Sequence, residues 1–532
     1  MTLGLVSVPD GLAMGLLAGL NPVAGLYGYL VGTVAGAFAT SSVLMSVQAT
    51  GAMAVLIADV PELRAAEDPA RALATLGVLT GAVMLVLGVL RLGTLVRFVP
   101  NAVLTGFVNA VAVNIVLGQV PSLTRFDSSQ GNRLGRAIDT LLSPFSLHWP
   151  TVLVGVATIV LIVALERTRL RSLGMLVAVA VTSALADRVG VFEGVLQLRD
   201  IVDIPGSLPR PVLPALGLAP TLLLPAVSLA FVGLVQGAAI SQTIPNPDGT
   251  FPDTSDDFRG QGVANVASGL LRGMPVGGSM SATAILTAAG ARSRLANATA
   301  GVVIALAILL LSDLVALVAM PALAGLLMVV GYRTFNVEQV RQVWQTGSTQ
   351  ATVMGTTFVL TLIFPLQYAV LVGVGLSVVL YVVGQSNRIR VVGLTVPEPG
   401  EQPIELEPPA AVSGGETVVL MVYGSLFYAS APVFEQQLPD ASPGSAVVLV
   451  LRGHDDLGST FLQVLGRYRD QLRAAGGHLL LAGVEDRALT QLSSTGMLER
   501  IGPDNVFPAT PTLGDPMRRA AARAEQLRDE TG

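Results

Sequence analysis

The sequence predicts an all-α polytopic membrane domain of about fourteen spans, followed by a small α/β domain. Three observations lead there. Hydrophobic residues make up 52% of the 532 and charged residues only 13%, too little charge to cover a water-soluble surface of this size. Apolar runs near membrane-crossing length recur through the first 385 or so residues. The composition then changes to a stretch rich in Pro, Glu and Gly, and beyond it strand-like and helix-like runs alternate. The chain therefore divides into a transmembrane domain over 1–390, a linker over 391–415, an α/β domain over 416–515 and a polar helix or tail over 516–532.

The spans fall at 1–20, 22–39, 47–60, 72–90, 98–118, 151–166, 171–186, 220–242, 257–271, 279–291, 295–312, 314–330, 351–365 and 367–385. Several are too short to cross alone, notably 47–60 and 279–291, the third and the tenth. Short, Gly-interrupted segments at matching places in two halves mark a transporter with inverted repeats, and these take position three of each seven-span half. The arginines give orientation. Arg91, Arg97, Arg167, Arg169, Arg171, Arg292, Arg294, Arg333, Arg341, Arg388 and Arg390 all fall on one side of a fourteen-span arrangement. The positive-inside rule makes that side cytoplasmic, with both termini on it, in a plasma (inner) membrane. Arg125, Arg133 and Arg136 break the pattern in a longer loop on the other side. Residues 1–20 lack a basic start and read as a helix, not a signal peptide. That helix begins abruptly, so a cytoplasmic segment is expected to precede it.

In the α/β part the strand-like runs are Val418–Tyr423, Ala446–Leu451 and His478–Ala482, and the helix-like runs are Ser459–Ala475 and Arg487–Ser493. Asp515–Asp529 is a polar, Arg-rich helix candidate.

Several chemistries are excluded. There is no cysteine, hence no disulfide, thiol catalysis or thiolate metal site. His148, His454 and His478 are too scattered for a metal. No catalytic constellation or cofactor motif occurs, which argues against an enzyme. A net charge of -5 argues against a nucleic-acid partner. The chain has no lysine, so every fixed side-chain cation is Arg.

Asp10, beside Pro9 in an apolar span, is the first residue that calls for a reason. A carboxylate in a membrane span is costly and marks a functional site by default, here one suited to carrying a proton. A structural Asp bonded to nearby unwound backbone is the alternative. Gln48, Ala49 and Thr50 lead into the short third span, and Gly278, Ser279, Met280 and Ser281 lead into the tenth. Small and polar residues at the start of a half-helix leave backbone N–H groups free, and with the helix dipole they form an anion site without a cation. Gln236 is a polar side chain in the eighth span, equally readable as an interhelical hydrogen bonder. Gly11, Gly15 and Gly19 repeat every four residues and point to close helix packing.

The chain resembles the sulfate permease (SulP) family of anion transporters and exchangers over nearly its whole length. The resemblance rests on VPDGLAMGLLAGLNPVAGLYGYL and on FRGQGVANVASGLLRGMPVGGSMSATAILTAAGARSRLA; GSTFLQVLGRYRDQLRAAGGHLLLAGV is similar to that family's STAS domain. It implies two inverted seven-helix repeats divided into core and gate domains, elevator-like alternating access and a homodimer. It also implies an anion held between the third and tenth helices. On this mapping the pocket collects Ser7, Asp10 and Met14 from the first helix and Gln48, Ala49 and Thr50 from the third. Gln236 joins from the eighth, and Gly278, Ser279, Met280 and Ser281 from the tenth, with Asp10 and Gln236 facing the coupling ion. The chain departs from the pattern at Ala282, where many relatives have Arg, and at Gln236, where cation-coupled relatives are often acidic. Asp10 replaces a usual Gln, Met14 a usual aromatic, and Thr50 a Phe found in some relatives. Gly458-Ser459-Thr460-Phe461 replaces the STAS D-S-S-G.

The expected function is secondary active transport of a small inorganic or organic anion (sulfate, bicarbonate, chloride or dicarboxylate) with H+ as a co-substrate through Asp10. An uncoupled anion channel on the same fold and a membrane-tethered STAS signalling protein stand as alternatives. A nucleobase permease is disfavoured, because Gln236 and Ser281 supply no carboxylates.

Overall fold

In lipid every backbone amide must find a partner within the protein, so long apolar runs fold as helices. The computed structural model describes residues 1–531 except 94–98, 127, 131–132, 169–172, 190–191, 193, 203, 205, 365 and 397–401. Arg97, Arg169, Arg171 and part of the expected linker thus lie outside the described residues. Two units are present, Met1–Ser377 and Val378–Gly532.

The first unit begins with α1 (Thr2–Leu17), α2 (Pro22–Ala39), the short strand β1 (Ser46–Gln48), α3 (Gly51–Ala58), α4 (Pro61–Arg64) and α5 (Pro69–Val89). It continues with α6 (Asn101–Thr124), α7 (Arg133–Leu142), α8 (Trp149–Glu166), α9 (Gly174–Arg188) and α10 (Ala219–Thr243). Then come α11 (Thr254–Leu270), strand β2 (Gly277–Ser279), α12 (Met280–Ala288), α13 (Leu295–Leu310), α14 (Ser312–Ala316) and α15 (Met320–Thr334). Last are α16 (Val337–Thr346), α17 (Ser348–Ile363) and α18 (Leu366–Ser386), the last crossing the boundary between the units. Among the described residues six helical stretches are long and apolar enough to cross a membrane alone. At about 1.5 Å per residue, α3 and α12 rise only about 12–14 Å, less than half of a hydrocarbon core.

The structure departs from the sequence expectation in three places here. The short third and tenth segments are each a strand followed by a helix. The run 314–330 is broken at 317–319, where Leu198 N–H donates to Val318 O and Met320 N–H donates to Leu196 O. The helices α7 and α16 are absent from the expected spans, because their polar faces dilute the apolar signal that identifies one.

Close packing of helix backbones holds the unit together. A Cβ at Gly25 would lie 2.0 Å from Gly11 O, and one at Gly15 would lie 2.7 Å from Pro22 O, so α1 and α2 touch backbone to backbone. Gly19 serves differently from Gly11 and Gly15. It turns the chain at φ +67°, a conformation open to glycine without strain. α5 and α11 make the same kind of contact, Gly77 against Gly269 and Gly81 against Gly262.

The second unit is a six-stranded sheet, order β4-β3-β5-β6-β7-β8. Its strands are β3 (Arg390–Leu394), β4 (Glu405–Leu406), β5 (Thr417–Tyr423), β6 (Ala446–Val450), β7 (His478–Val484) and β8 (Val506–Pro508). β5 to β8 run parallel, and β3 lies antiparallel to both β4 and β5. The expected linker 391–415 therefore contributes two strands, since Val391 and Val392 of RVVGL are buried in the sheet. Strand residues alternate between two cores. Val447 and Leu449 face α19 (Ala431–Gln436), α20 (Ser459–Ala474), α21 (Asp486–Ser494) and α22 (Met497–Ile501). Val448 and Val450 face α23 (Asp515–Thr531), which covers the sheet with Met517, Ala520, Ala524 and Leu527. The terminal segment 516–532 is thus part of this domain, its apolar stripe hidden in the sequence by its arginines.

A branched side chain between α5 and α11 has nowhere to go: a Cβ at Gly81 would lie 2.6 Å from Gly262 O and 2.8 Å from Val266 N. Gly81→Val is expected to destabilise the protein by about 1–3 kcal/mol, the usual cost of overpacking. Gly355→Ala, in the interior of α17 with no atom within 4 Å of its new Cβ, should raise the thermal unfolding midpoint of the purified protein slightly, since alanine is favoured over glycine there by about 0.5–1 kcal/mol.

Candidate functional site

β1 and β2 form a two-stranded antiparallel ribbon, with Ser46 opposite Ser279, Val47 opposite Gly278 and Gln48 opposite Gly277. Each strand runs into a half-helix, and the two helices leave the ribbon at opposite ends. Their N-termini are thereby brought together in the middle of the unit. The helices begin alike. Thr50 Oγ1 accepts from Met53 N–H, and Ser279 Oγ accepts from Ala282 N–H, the third amide after the cap in both cases. Each cap satisfies one amide, and the first amides of α3 and α12 have no acceptor within their helix. Ser281 is exposed, Met280 is 44% exposed, and Thr50 and Gln236 are partly so.

The hydroxyl of Thr50 donates to Gln236 Oε1 at 2.9 Å. Gln236 Nε2 is left without an acceptor among the described residues and is available to a ligand. Ser279 and Ser281 hydroxyls lie 3.3 Å apart. Asp10 accepts from Tyr29 O–H at 2.6 Å, and the same phenol lies 3.0 Å from Ala49 O. A phenol has one proton, so it cannot serve both acceptors fully. With a proton on Asp10 the arrangement closes: Asp10 donates to Tyr29, and Tyr29 donates to Ala49 O. Without that proton, Tyr29 turns to the carboxylate and the carbonyl loses its donor.

The other expected residues lie deeper. Ser7, Met14, Gln48, Ala49 and Gly278 are buried. Gln48 Nε2 donates to Ser7 Oγ and Thr33 Oγ1, both at 3.1 Å, so its amide fixes β1 against α1 and α2. A cavity of about 840 Å³ is lined by residues that include Val6, Ala284, Ile285, Glu166 and Arg333. Val6 lies one turn from Asp10, and Ala284 and Ile285 lie one turn from Ser281. Among the described residues no arginine bonds to any of these site residues. Ala282 packs with Leu3, Leu286 and Ala300.

The residues that hold the ribbon are not among those the sequence singles out. Asn265 accepts from Val276 N–H at 2.9 Å and donates to Val276 O at 2.6 Å, and Gln261 Oε1 accepts from Gly278 N–H at 3.0 Å. Thr283 Oγ1 accepts from Ser46 N–H, and Asn297 donates to Met45 O. Asp257, fully buried, accepts from Ser41 Oγ, from Ser42 N–H and Oγ, and from Ser241 Oγ. Asp10 is therefore not the one carboxylate inside the unit. A signal existed, since Asp257, Gln261, Asn265 and Ser268 recur at helical spacing on one face of α11.

Two family models match this chain: the sulfate permease family over residues 1–357 and the STAS domain over 408–513. The chain belongs to the sulfate permease family. A probable sulfate transporter of Mycobacterium tuberculosis is 26% identical over 98% of this chain and 94% of its own length. The bicarbonate transporter BicA of a Picosynechococcus is 27% identical over 73% of this chain and 70% of its own. The solved structure of the murine anion transporter Slc26a9, in its inward-facing state, superimposes with a TM-score of 0.85 at 17% identity, covering 99% of this chain and 90% of that one. The fold is thus the mostly helical transporter fold of this family with a C-terminal STAS domain, and its relatives are transporters, not enzymes. Within that domain Phe461 is buried against Phe434, so the fourth place of Gly458-Ser459-Thr460-Phe461 is filled by a core side chain.

Asn265→Leu leaves the buried Val276 N–H and C=O unpaired, at about 1–3 kcal/mol each. The variant is expected to show a lower unfolding midpoint and slower initial anion uptake in proteoliposomes than the wild type.

Proposed function

We propose that the chain is a secondary active transporter of small anions that binds its substrate between the N-termini of α3 and α12 and couples it to a proton through Asp10. The paired, identically capped half-helix starts carry the reading. Each N-terminus presents unbonded amides and the positive end of a helix dipole, and an anion between two of them is stabilised from both sides. Gln236 Nε2 and the Ser279–Ser281 hydroxyl pair add donors around the same point, while the Thr50 proton goes to Gln236 Oε1 and holds that amide in place. With no cation, the site suits sulfate, bicarbonate, chloride or a dicarboxylate through dipoles and hydroxyls alone.

Asp10 supports proton coupling through Tyr29. The phenol bridges the carboxylate and the carbonyl of Ala49, next to the cap of α3. A proton on Asp10 removes a negative charge near the bound anion and completes the bond to Ala49 O. Proton and anion thus favour each other's binding, which is what symport requires.

Counting each strand with its half-helix, the spans are α1, α2, β1–α3, α5, α6, α8 and α9, then α10, α11, β2–α12, α13, α14–α15, α17 and α18. We read them as two inverted seven-span repeats in a plasma membrane, termini cytoplasmic, working as a homodimer by elevator-like alternating access. The cavity beside Val6 and Ile285 is then the cytoplasmic vestibule. The probable sulfate transporter and the bicarbonate transporter among its relatives fall in the same substrate class.

Proteoliposomes offered radiolabelled sulfate, bicarbonate, chloride and a dicarboxylate, with and without an inward proton gradient, test this reading. Thr50→Trp fills the space between the helix starts and is expected to cut uptake at least about tenfold, the equivalent of about 1.4 kcal/mol of binding. Full uptake by that variant removes the half-helix site. Asp10→Asn and Tyr29→Phe are expected to keep exchange while losing most stimulation by the proton gradient. Asp10→Asn that keeps the full stimulation refutes the coupling.

A further inference from the structure

A second cavity, of about 670 Å³, lies at the far end of α3 from Thr50. Asp59, Arg64, Arg133, Arg136, Asn114 and Gln119 are among the residues that line it. Its charge balance is three arginines to one carboxylate. Arg133 donates to Asp59 at 2.7 Å and to Val55 O in the last turn of α3, and Arg64 donates to Ala58 O. Two polar groups in the same wall are unmatched. Gln119 is 3% exposed, and its Oε1 has no hydrogen-bond partner among the described residues. No described residue accepts from its Nε2 either. Arg136 Nε is buried and likewise unpartnered among the described residues.

An unsatisfied buried amide costs about 1–3 kcal/mol, and an unsatisfied guanidinium nitrogen costs more. Arg136 Nε–H and the Gln119 Nε2 hydrogens are donors that a ligand accepting hydrogen bonds satisfies; Gln119 Oε1 is an acceptor and is not met by such a ligand. The arginine excess makes that ligand an anion, and the planar guanidinium fork matches an oxyanion. The position of these arginines agrees. Arg133 and Arg136 lie on the side that the positive-inside rule would leave poor in Arg, so insertion does not explain them.

We propose that this cavity is a second, outer anion-binding site, formed by Arg136, Arg133 and the Gln119 amide, that takes up the small anion before it reaches the half-helix site. "Outer" rests on the orientation proposed above; the site itself does not. An anion here competes with Asp59 for Arg133, the group that ties α7 to the C-terminal end of α3. Occupancy therefore loosens the contact that holds the half-helix at this end.

Phenylglyoxal labelling of the purified full chain, read by mass spectrometry, tests occupancy directly. Sulfate and chloride are expected to protect Arg136 at least about threefold relative to gluconate at equal ionic strength, leaving Arg125 unprotected. That protection persists in Thr50→Trp, whose half-helix site is blocked, and is lost in Gln119→Leu. Equal labelling of Arg136 in all three salts overturns the proposal, as does protection that vanishes with Thr50→Trp. In whole cells taking up radiolabelled sulfate or chloride, Arg136→Gln is expected to raise the half-saturating external concentration about tenfold, or about 1.4 kcal/mol. Arg136→Lys falls between it and the wild type, Arg125→Gln matches the wild type, and efflux from loaded cells keeps its half-saturation. An unchanged external half-saturation in Arg136→Gln counts against the site while leaving the half-helix reading intact.

Discussion

Everything at the centre of this protein depends on three pairs of residues in the ribbon β1–β2. A half-helix that stops inside a membrane leaves polar backbone on both sides of its start, and hydrocarbon offers no partner for it. The two interrupted segments solve the problem for each other, because antiparallel strands exchange their backbone bonds. The same pairing aims two helix starts at one point. A structural need and the proposed binding site thus come from one arrangement, and neither segment would be stable in this form without its counterpart more than two hundred residues away in the chain.

The ribbon is itself held by side chains from elsewhere in the unit. Asn265 and Gln261 grip the β2 segment, while Thr283 and Asn297 grip the β1 segment. Polar groups in an apolar interior are costly unless matched, and these bonds to backbone stiffen the ribbon even though Ser46 Oγ and Asn297 Oδ1 find no partner among the described residues. That stiffness suits the proposed site of fixed dipoles, which need no reorientation to meet an anion. Asp257 shows the contrast with Asp10. Four donors surround Asp257, so its role is to join α11, α10 and the segment after α2. Asp10 accepts from a single phenol, shared with a carbonyl, and that incomplete bonding is what fits it for the proton coupling proposed above.

What repeats or breaks a rule over many residues is legible in the sequence. Span positions follow from apolar length, and the half-helix starts follow from short runs rich in Gly and Ser. The pair β1–β2 is not legible, because three-residue strands carry no period and their partner is remote. Tyr29 gives no signal either: a tyrosine in a membrane helix is unremarkable until its hydroxyl is seen between Asp10 and Ala49. The helices α7 and α16 are faint for one reason. A narrow apolar stripe on an otherwise polar helix never gathers into the continuous apolar run by which a span is recognised. RVVGL reads as linker because five residues beside a Pro-rich stretch look like its edge. Its place in the sheet is set by pairing with Thr417–Tyr423, which no local pattern reports.

The distribution of charge along α3 connects these features. Among the described residues no arginine bonds to its N-terminal end, whereas its C-terminal end is met by Arg64 and Arg133. Cations at a helix C-terminus and anions at its N-terminus both favour the helix dipole. An anion at Thr50 and an arginine at Val55 therefore stabilise the same short helix from opposite ends. Neither site needs to touch the other for them to be linked. Whatever draws Arg133 away from α3 weakens the helix whose start forms the proposed anion site, and an anion filling that start would strengthen the hold of the far end. A helix of eight residues is short enough for both ends to be felt across its whole length.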